Sequence, residues 1–156
     1  MVGYFIVIKI VEFAKNKRVI ELNLMSKSDE IINHLLKYYY WHDSEYAKHW
    51  CIEIHAGCSK VYKMKANNKY PSPDFLYNCL YGDSEDIMDN IIELFWDMAK
   101  DEYPDYKVYE PVFTDKLKTF MREYFRWLSS RLSQNGSVKQ SEVIQELSLL
   151  YNDCKP

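Results

Sequence analysis

A run of loop-forming residues, Asn67 to Pro73, divides the chain into two stretches with different hydrophobic patterns. The stretch before it repeats apolar residues mostly at every second position, as half-buried strands do. The stretch after it repeats them every three to four positions, as amphipathic helices do. Strands gathered at one end and helices at the other predict an α+β fold. The 156 residues fit a single domain, 1–156, with 1–66 mostly β and 74–152 helical.

The first half predicts an antiparallel β-sheet of about four strands with one inserted helix. Apolar and polar residues separate by parity in both Tyr4–Phe13 and Arg18–Met25, which favours a hairpin. Ser26 and Ser28 are good N-caps for a helix that carries Ile31 to Tyr39 on one face and extends to about Lys48. The third and fourth strands are expected over 50–56 and 59–66.

The second half predicts three to four helices. A short helix over 74–80 ends at Gly82, and a second begins at Asp83 or Ser84 and ends near Asp101, before Pro104. Thr114 or Asp115 starts a third helix that ends before the Asn135-Gly136 pair. The last helix is expected over 138–151.

The cysteines and the hydropathy indicate a compartment. Cys51, Cys58, Cys79 and Cys154 follow no secretory leader, because Lys9 and Glu12 interrupt the apolar start of the chain. No stretch reaches the ~18–20 apolar residues that span a bilayer. We therefore expect a cytoplasmic protein with free thiols and no membrane association.

An acidic stretch over residues 83–110 is the strongest indication of a binding surface. It holds ten Asp and Glu against two Lys, a local charge of −8 in a chain whose net charge is only −3. Four of these acids recur at helical spacing, and with two nearby tyrosines they are the predicted contact residues: Asp86, Asp89, Glu93, Asp97, Tyr103 and Tyr106. Carboxylates on one helix face attract a cationic partner, and tyrosine is enriched at protein interfaces.

A second constellation combines metal-ligand residue types over residues 49–58. On a strand, His49, Cys51, Glu53 and His55 would point to one side, and Cys58 follows. His and Cys are zinc ligands, but His49 and His55 would lie about 20 Å apart on an extended strand at ~3.3 Å per residue. The sequence therefore predicts no metal site and no cofactor, with His49, Cys51, His55 and Cys58 as the only candidate ligands.

The sequence contains no G-x-S-x-G, P-loop, kinase or H-E-x-x-H motif. Its pI near 5.8 opposes direct nucleic-acid binding, for which a strongly basic footprint is typical. We therefore expect a non-enzymatic binding protein.

Composition resembles that of bacterial immunity proteins, which are small, acidic on one face and rich in tyrosine. This analogy predicts an inhibitor that occludes the active site of a cationic, nuclease-type toxin with its acidic helix face. Two alternatives remain open: a nucleic-acid-mimicking inhibitor of the phage or anti-restriction type, and a metal- or Cys-dependent enzyme centred on residues 49–58. The aromatic content is also compatible with a homodimer.

Overall fold

The structure, a computed structural model, describes residues 2–67, 73–82, 93, 97 and 114–156. Over 2–67, 73–82 and 114–156 the chain forms five helices, Glu93 and Asp97 are also in helical conformation, and no described residue lies in a strand. The five helices are α1 (Val2–Tyr40), α2 (Ala47–Asn67), α3 (Pro73–Tyr81), α4 (Asp115–Asn135) and α5 (Gln140–Cys154). The predicted α+β fold is therefore wrong, and the described part of the chain is all-helical.

The predicted N-terminal hairpin is the first correction. Tyr4–Phe13 and Arg18–Met25 are consecutive parts of α1, a helix of 39 residues. The predicted inserted helix is the C-terminal half of this same element. Once a helix is nucleated, each added residue gains one hydrogen bond, so a helix held by a buried half extends cheaply. The alternation of apolar and polar residues over eight to ten positions therefore did not prevent the helix from continuing through both segments.

The predicted third and fourth strands are the second correction, since 50–56 and 59–66 both belong to α2. Four buried residues of this helix are spaced at i, i+4, i+8 and i+11, namely Trp50, Ile54, Cys58 and Val61, and buried Cys51 follows Trp50. Ile52, which shares strand parity with Trp50 and Ile54, is 40% exposed. Burial therefore follows the helical period rather than the strand period.

The helix α4 confirms the ends predicted from Thr114 and the Asn135-Gly136 pair, and the last helix, expected over 138–151, spans Gln140–Cys154. Thr114 caps α4, because its hydroxyl accepts a hydrogen bond of 3.2 Å from the backbone N–H of Leu117. Gly136, with a φ of 101°, follows the end of α4 in a conformation that favours glycine. Glu142 accepts a hydrogen bond of 2.9 Å from the backbone N–H of Lys139 at the start of α5.

The core forms around the second half of α1, which contacts α2, α3 and α4. Its buried residues recur at helical spacing from Leu24 through Ile31 to Leu35. They pack on a block of fully buried side chains from α4: Leu117, Phe120, Met121, Tyr124, Phe125, Leu128 and Leu132. Together with residues of α2, α3 and α5 they form one hydrophobic cluster.

Two polar contacts join distant parts of this core. The Ser28 hydroxyl donates to the carbonyl of Leu80, which ties α1 to α3. The Tyr39 hydroxyl donates to the carbonyl of Cys154 at 2.7 Å, which ties α1 to the last turn of α5. Because both hydroxyls are buried, these bonds satisfy groups whose desolvation would otherwise be costly.

Candidate functional site

The predicted acidic face is described at two of its positions. Glu93 and Asp97 both lie in helical conformation and both are exposed. Each of these two carboxylates is thus presented to solvent from helical backbone, and their shared face remains a prediction from their spacing of four residues. The other predicted contact residues, Asp86, Asp89, Tyr103 and Tyr106, lie outside the described residues.

The His and Cys residues of the second constellation lie on α2 and do not converge. The His49 side chain is 61% exposed, and its Nε2 lies 4.0 Å from a carboxylate oxygen of Glu53 one turn later. His55 Nε2 lies 2.9 Å from the carbonyl of Val138, and Cys51 and Cys58 are buried. Over the ranges that the structure describes, no three His, Cys, Asp or Glu residues are placed to hold a metal ion.

The two buried thiols of α2 are poor nucleophiles. Burial raises the pKa of Cys51 to about 11 and that of Cys58 to about 12. The Cys58 Sγ also lies 3.3 Å from the hydroxyl oxygen of Tyr124 inside the core. Since the thiolate is the reactive form, these thiols are structural at neutral pH. The geometry therefore gives no support to a Cys-dependent reaction at residues 49–58.

An aromatic cluster at the junction of α1 and α5 was not predicted from the sequence. His42, just after α1, stacks on Tyr151 with ring centroids 3.9 Å apart and an interplanar angle of 7°. Tyr38 meets the His42 ring edge-on at 5.1 Å. The sequence signal for this cluster is the run Tyr38-Tyr39-Tyr40-Trp41-His42. The contact of His42 with Tyr151, however, depends on how α5 packs.

A groove of about 340 Å³ is lined by residues of α1 and α3: Lys17, Arg18, Glu21, Met25, Phe75, Asn78 and Cys79. Each of its two cations already lies close to another residue that lines the groove. Lys17 Nζ lies 5.6 Å from the centroid of the Phe75 ring, and an Arg18 nitrogen lies 3.6 Å from a Glu21 carboxylate oxygen. Lys17 and Arg18 against Glu21 leave the groove with a net charge of only +1, so it does not present a concentrated charge to a ligand.

No family model matches this chain, and comparison with curated proteins and with solved structures gives no match. Among the helices that the structure describes, none is long and apolar enough to cross a membrane. Function is therefore inferred from the surface chemistry of the chain itself.

Proposed function

We propose that this protein is a non-enzymatic binding protein that captures a basic protein partner through the acidic face around Glu93 and Asp97. The observation that carries the proposal is the exposure of both carboxylates on helical backbone, four residues apart in the sequence. They belong to a stretch with ten acidic residues and two lysines. A nuclease-type toxin has the required chemistry, because it presents Lys and Arg to nucleic-acid phosphates. The protein would then act as the immunity protein that covers those residues.

Electrostatics give this face a specific binding behaviour. Complementary charge accelerates encounter more than it strengthens the final complex. Added salt screens exposed charges over about 10 Å at 0.1 M, so the association rate is expected to fall steeply with ionic strength.

A charge-reversal pair tests the assignment of the face. Glu93→Lys/Asp97→Lys raises the net charge of the chain from −3 to +1 (−3 + 4). Glu45→Lys/Asp153→Lys makes the same change at two exposed acids elsewhere, one between α1 and α2 and one near the end of α5. The two variants are matched in net charge and differ only in position.

The measurement is a pull-down from the native organism at low salt, with partners identified by mass spectrometry and association rates then measured on the purified pair. We expect a basic partner to be retained by the wild type and by the Glu45/Asp153 control, and lost by the Glu93/Asp97 variant. If both variants retain the partner equally, the acidic face is not the binding site. A partner that duplex DNA displaces would instead identify a nucleic-acid mimic.

A further inference from the structure

A line of polar residues follows the contact between α1 and α2. Its members on α1 recur at spacings of three and four positions, and those on α2 at spacings of four and seven, so each set shares one face of its helix. We call this set the polar seam, and its members are Lys27, Glu30, His34 and Lys37 of α1 and His49, Glu53 and Lys60 of α2. The two helices form the most extensive helix–helix contact in the described part of the chain.

Glu30 joins the two helices at one end of the polar seam. Its carboxylate accepts hydrogen bonds of 2.7 Å from Lys27 and 2.9 Å from Lys60. These bonds lower the pKa of Glu30 below its ordinary value of 4.5, so its negative charge persists well into acid. This end of the seam is therefore constant between about pH 5 and 7.5, the range in which histidine is the side chain that titrates.

His34 lies in the middle of the polar seam and is half-buried. Its Nδ1 lies 2.8 Å from the backbone carbonyl oxygen of Glu30, one turn earlier in α1. Because a carbonyl oxygen only accepts hydrogen bonds, the proton of the neutral ring is on Nδ1. Acid therefore adds the second proton at Nε2.

The surroundings of His34 oppose that second proton. Burial lowers the pKa of His34 below its ordinary value of 6.5, the bond to the Glu30 carbonyl partly offsets this, and the charge of Lys37 adds to the lowering. Glu53 acts in the opposite direction, but its side chain is 41% exposed, so solvent screens it more than it screens Lys37, which is 9% exposed. A protonated His49 adds to the repulsion. The folded protein therefore stabilises the neutral form of His34.

We propose that the polar seam is an acid-sensitive contact, which holds α2 against α1 while His34 is neutral and weakens once His34 is protonated. Three lysines and two glutamates give the seam a net charge of +1 at neutral pH. Protonation of its two histidines raises that charge to +3, and the seam gains no carboxylate to offset it. The added charge lies on both helices, so it acts against their contact.

Acid should destabilise the fold through His34. The unfolded chain, in which histidine has its ordinary pKa of about 6.5, takes up the proton more readily than the folded chain. The contribution of His34 to stability is therefore complete above about pH 6.5 and is lost as the pH falls through the lower pKa of the folded state. The unfolding equilibrium constant should rise by up to about tenfold per pH unit in that window, which is about 1.4 kcal/mol.

The first test follows His34 itself. Proton NMR of the imidazole resonances, assigned by the signal that His34→Asn removes, measures the pKa of His34 in the folded wild type. We expect a value below 6.5, and a higher value in Lys37→Met, which keeps an apolar stem and removes the charge. A His34 pKa of 6.5 or above in the wild type, or one that Lys37→Met leaves unchanged, would overturn the proposal.

A second test measures the consequence for stability. Urea unfolding between pH 5.5 and 7.5 compares the wild type with His34→Asn, whose amide can still donate to the Glu30 carbonyl but does not titrate. The control, His49→Gln, removes a histidine of the same seam whose side chain is 61% exposed. We expect the acid-induced rise of the unfolding constant to be much smaller in His34→Asn and mostly retained in the control.

Circular dichroism at pH 7.5 verifies that both variants are folded. If His34→Asn does not fold, Lys37→Met supplies the comparison, because it should make the same pH dependence smaller. An acid-induced rise in the tested variant that is as large as in His49→Gln would show that the polar seam is not acid-sensitive.

Discussion

Gly57 of α2 approaches Ile31 of α1 so closely that a β-carbon on Gly57 would lie 2.7 Å from Cγ1 of Ile31. Ile31 is 1% exposed and is enclosed by the core, so it has little room to retreat. The absence of a side chain at position 57 therefore sets the distance between α1 and α2.

Replacing Gly57 with alanine is expected to destabilise the fold. Alanine in a helix interior gains about 0.5–1 kcal/mol over glycine, but an extra methyl group in a packed core costs about 1–3 kcal/mol. The net change in the free energy of unfolding should be a loss of up to about 2.5 kcal/mol, measured by urea denaturation. Ile31→Ala makes room for the methyl group, so the double variant should lose less than the sum of the single variants. A Gly57→Ala protein as stable as the wild type would show that the contact is loose.

The thiols of the native protein should differ in reactivity. Cys51, Cys58 and Cys154 are buried, whereas Cys79 is half-buried. Because burial also raises the pKa of the three buried thiols, little thiolate is available at pH 8. Titration with a disulfide reagent should therefore detect at most one fast thiol in the native protein and four in urea. Cys79→Ser should remove the fast reaction, and a fast reaction that persists in that variant would place a reactive thiol elsewhere.

Alkaline pH should weaken the fold through the same buried groups. The pKa values of Cys51 and Cys58, about 11 and about 12, lie above the value of about 8.5 expected in the unfolded chain. Their stabilising contribution is complete below the unfolded pKa and is lost as pH rises towards the folded pKa. Each thiol should lower the free energy of unfolding by about 1.4 kcal/mol per pH unit between roughly pH 9 and 11.

The comparison variant for this pH dependence is Cys58→Ala. This substitution leaves a cavity and lowers the stability at every pH. The slope of the unfolding free energy against pH should become smaller by the contribution of one thiol. The readout is therefore the slope of the unfolding free energy against pH, not its absolute value. Parallel slopes for the two proteins would mean that Cys58 does not titrate on unfolding in this range.

The hydroxyl of Tyr39 should stabilise the attachment of α5. It donates to the carbonyl of Cys154 at 2.7 Å from a side chain that is 1% exposed. Tyr39→Phe should cost about 0.5–1.5 kcal/mol in thermal or urea unfolding, because it removes one buried hydrogen bond. Tyr151→Phe, which keeps the ring stacked on His42, is the control. A cost for Tyr39→Phe no larger than that of the control would argue against the bond.

The sequence predicts α3 and α4 well because their ends carry explicit signals. Pro73, Thr114 and Gly136 stand at or beside observed helix ends, and each acts locally, through the fixed φ of proline, the capping hydroxyl of threonine and the conformational freedom of glycine. The strand predictions were wrong where only parity was available. Over 50–61 the strand and helix periods share Trp50, Ile54 and Cys58, and only exposed Ile52 and buried Cys51 and Val61 distinguish them.

The candidate site is predictable to the extent that it is local. The shared face of Glu93 and Asp97 follows from their spacing alone, once the backbone is helical. The predicted strand over residues 49–58 would have placed His49, Cys51 and His55 on one side. In the observed helix, His49 is exposed and the thiols of Cys51 and Cys58 are buried. The stack of His42 on Tyr151 joins residues 109 positions apart, which no local pattern specifies.

The bond between Tyr39 and the Cys154 carbonyl also constrains when the protein can fold. Its partners are 115 residues apart, and α5 packs on elements that are made much earlier. At about 5–20 residues per second, a ribosome needs roughly 6–23 s to synthesise the intervening chain. During that interval the apolar side of α1 that awaits α5 is accessible to chaperones. The core can therefore be completed only after α5 has been translated, however fast the individual helices form.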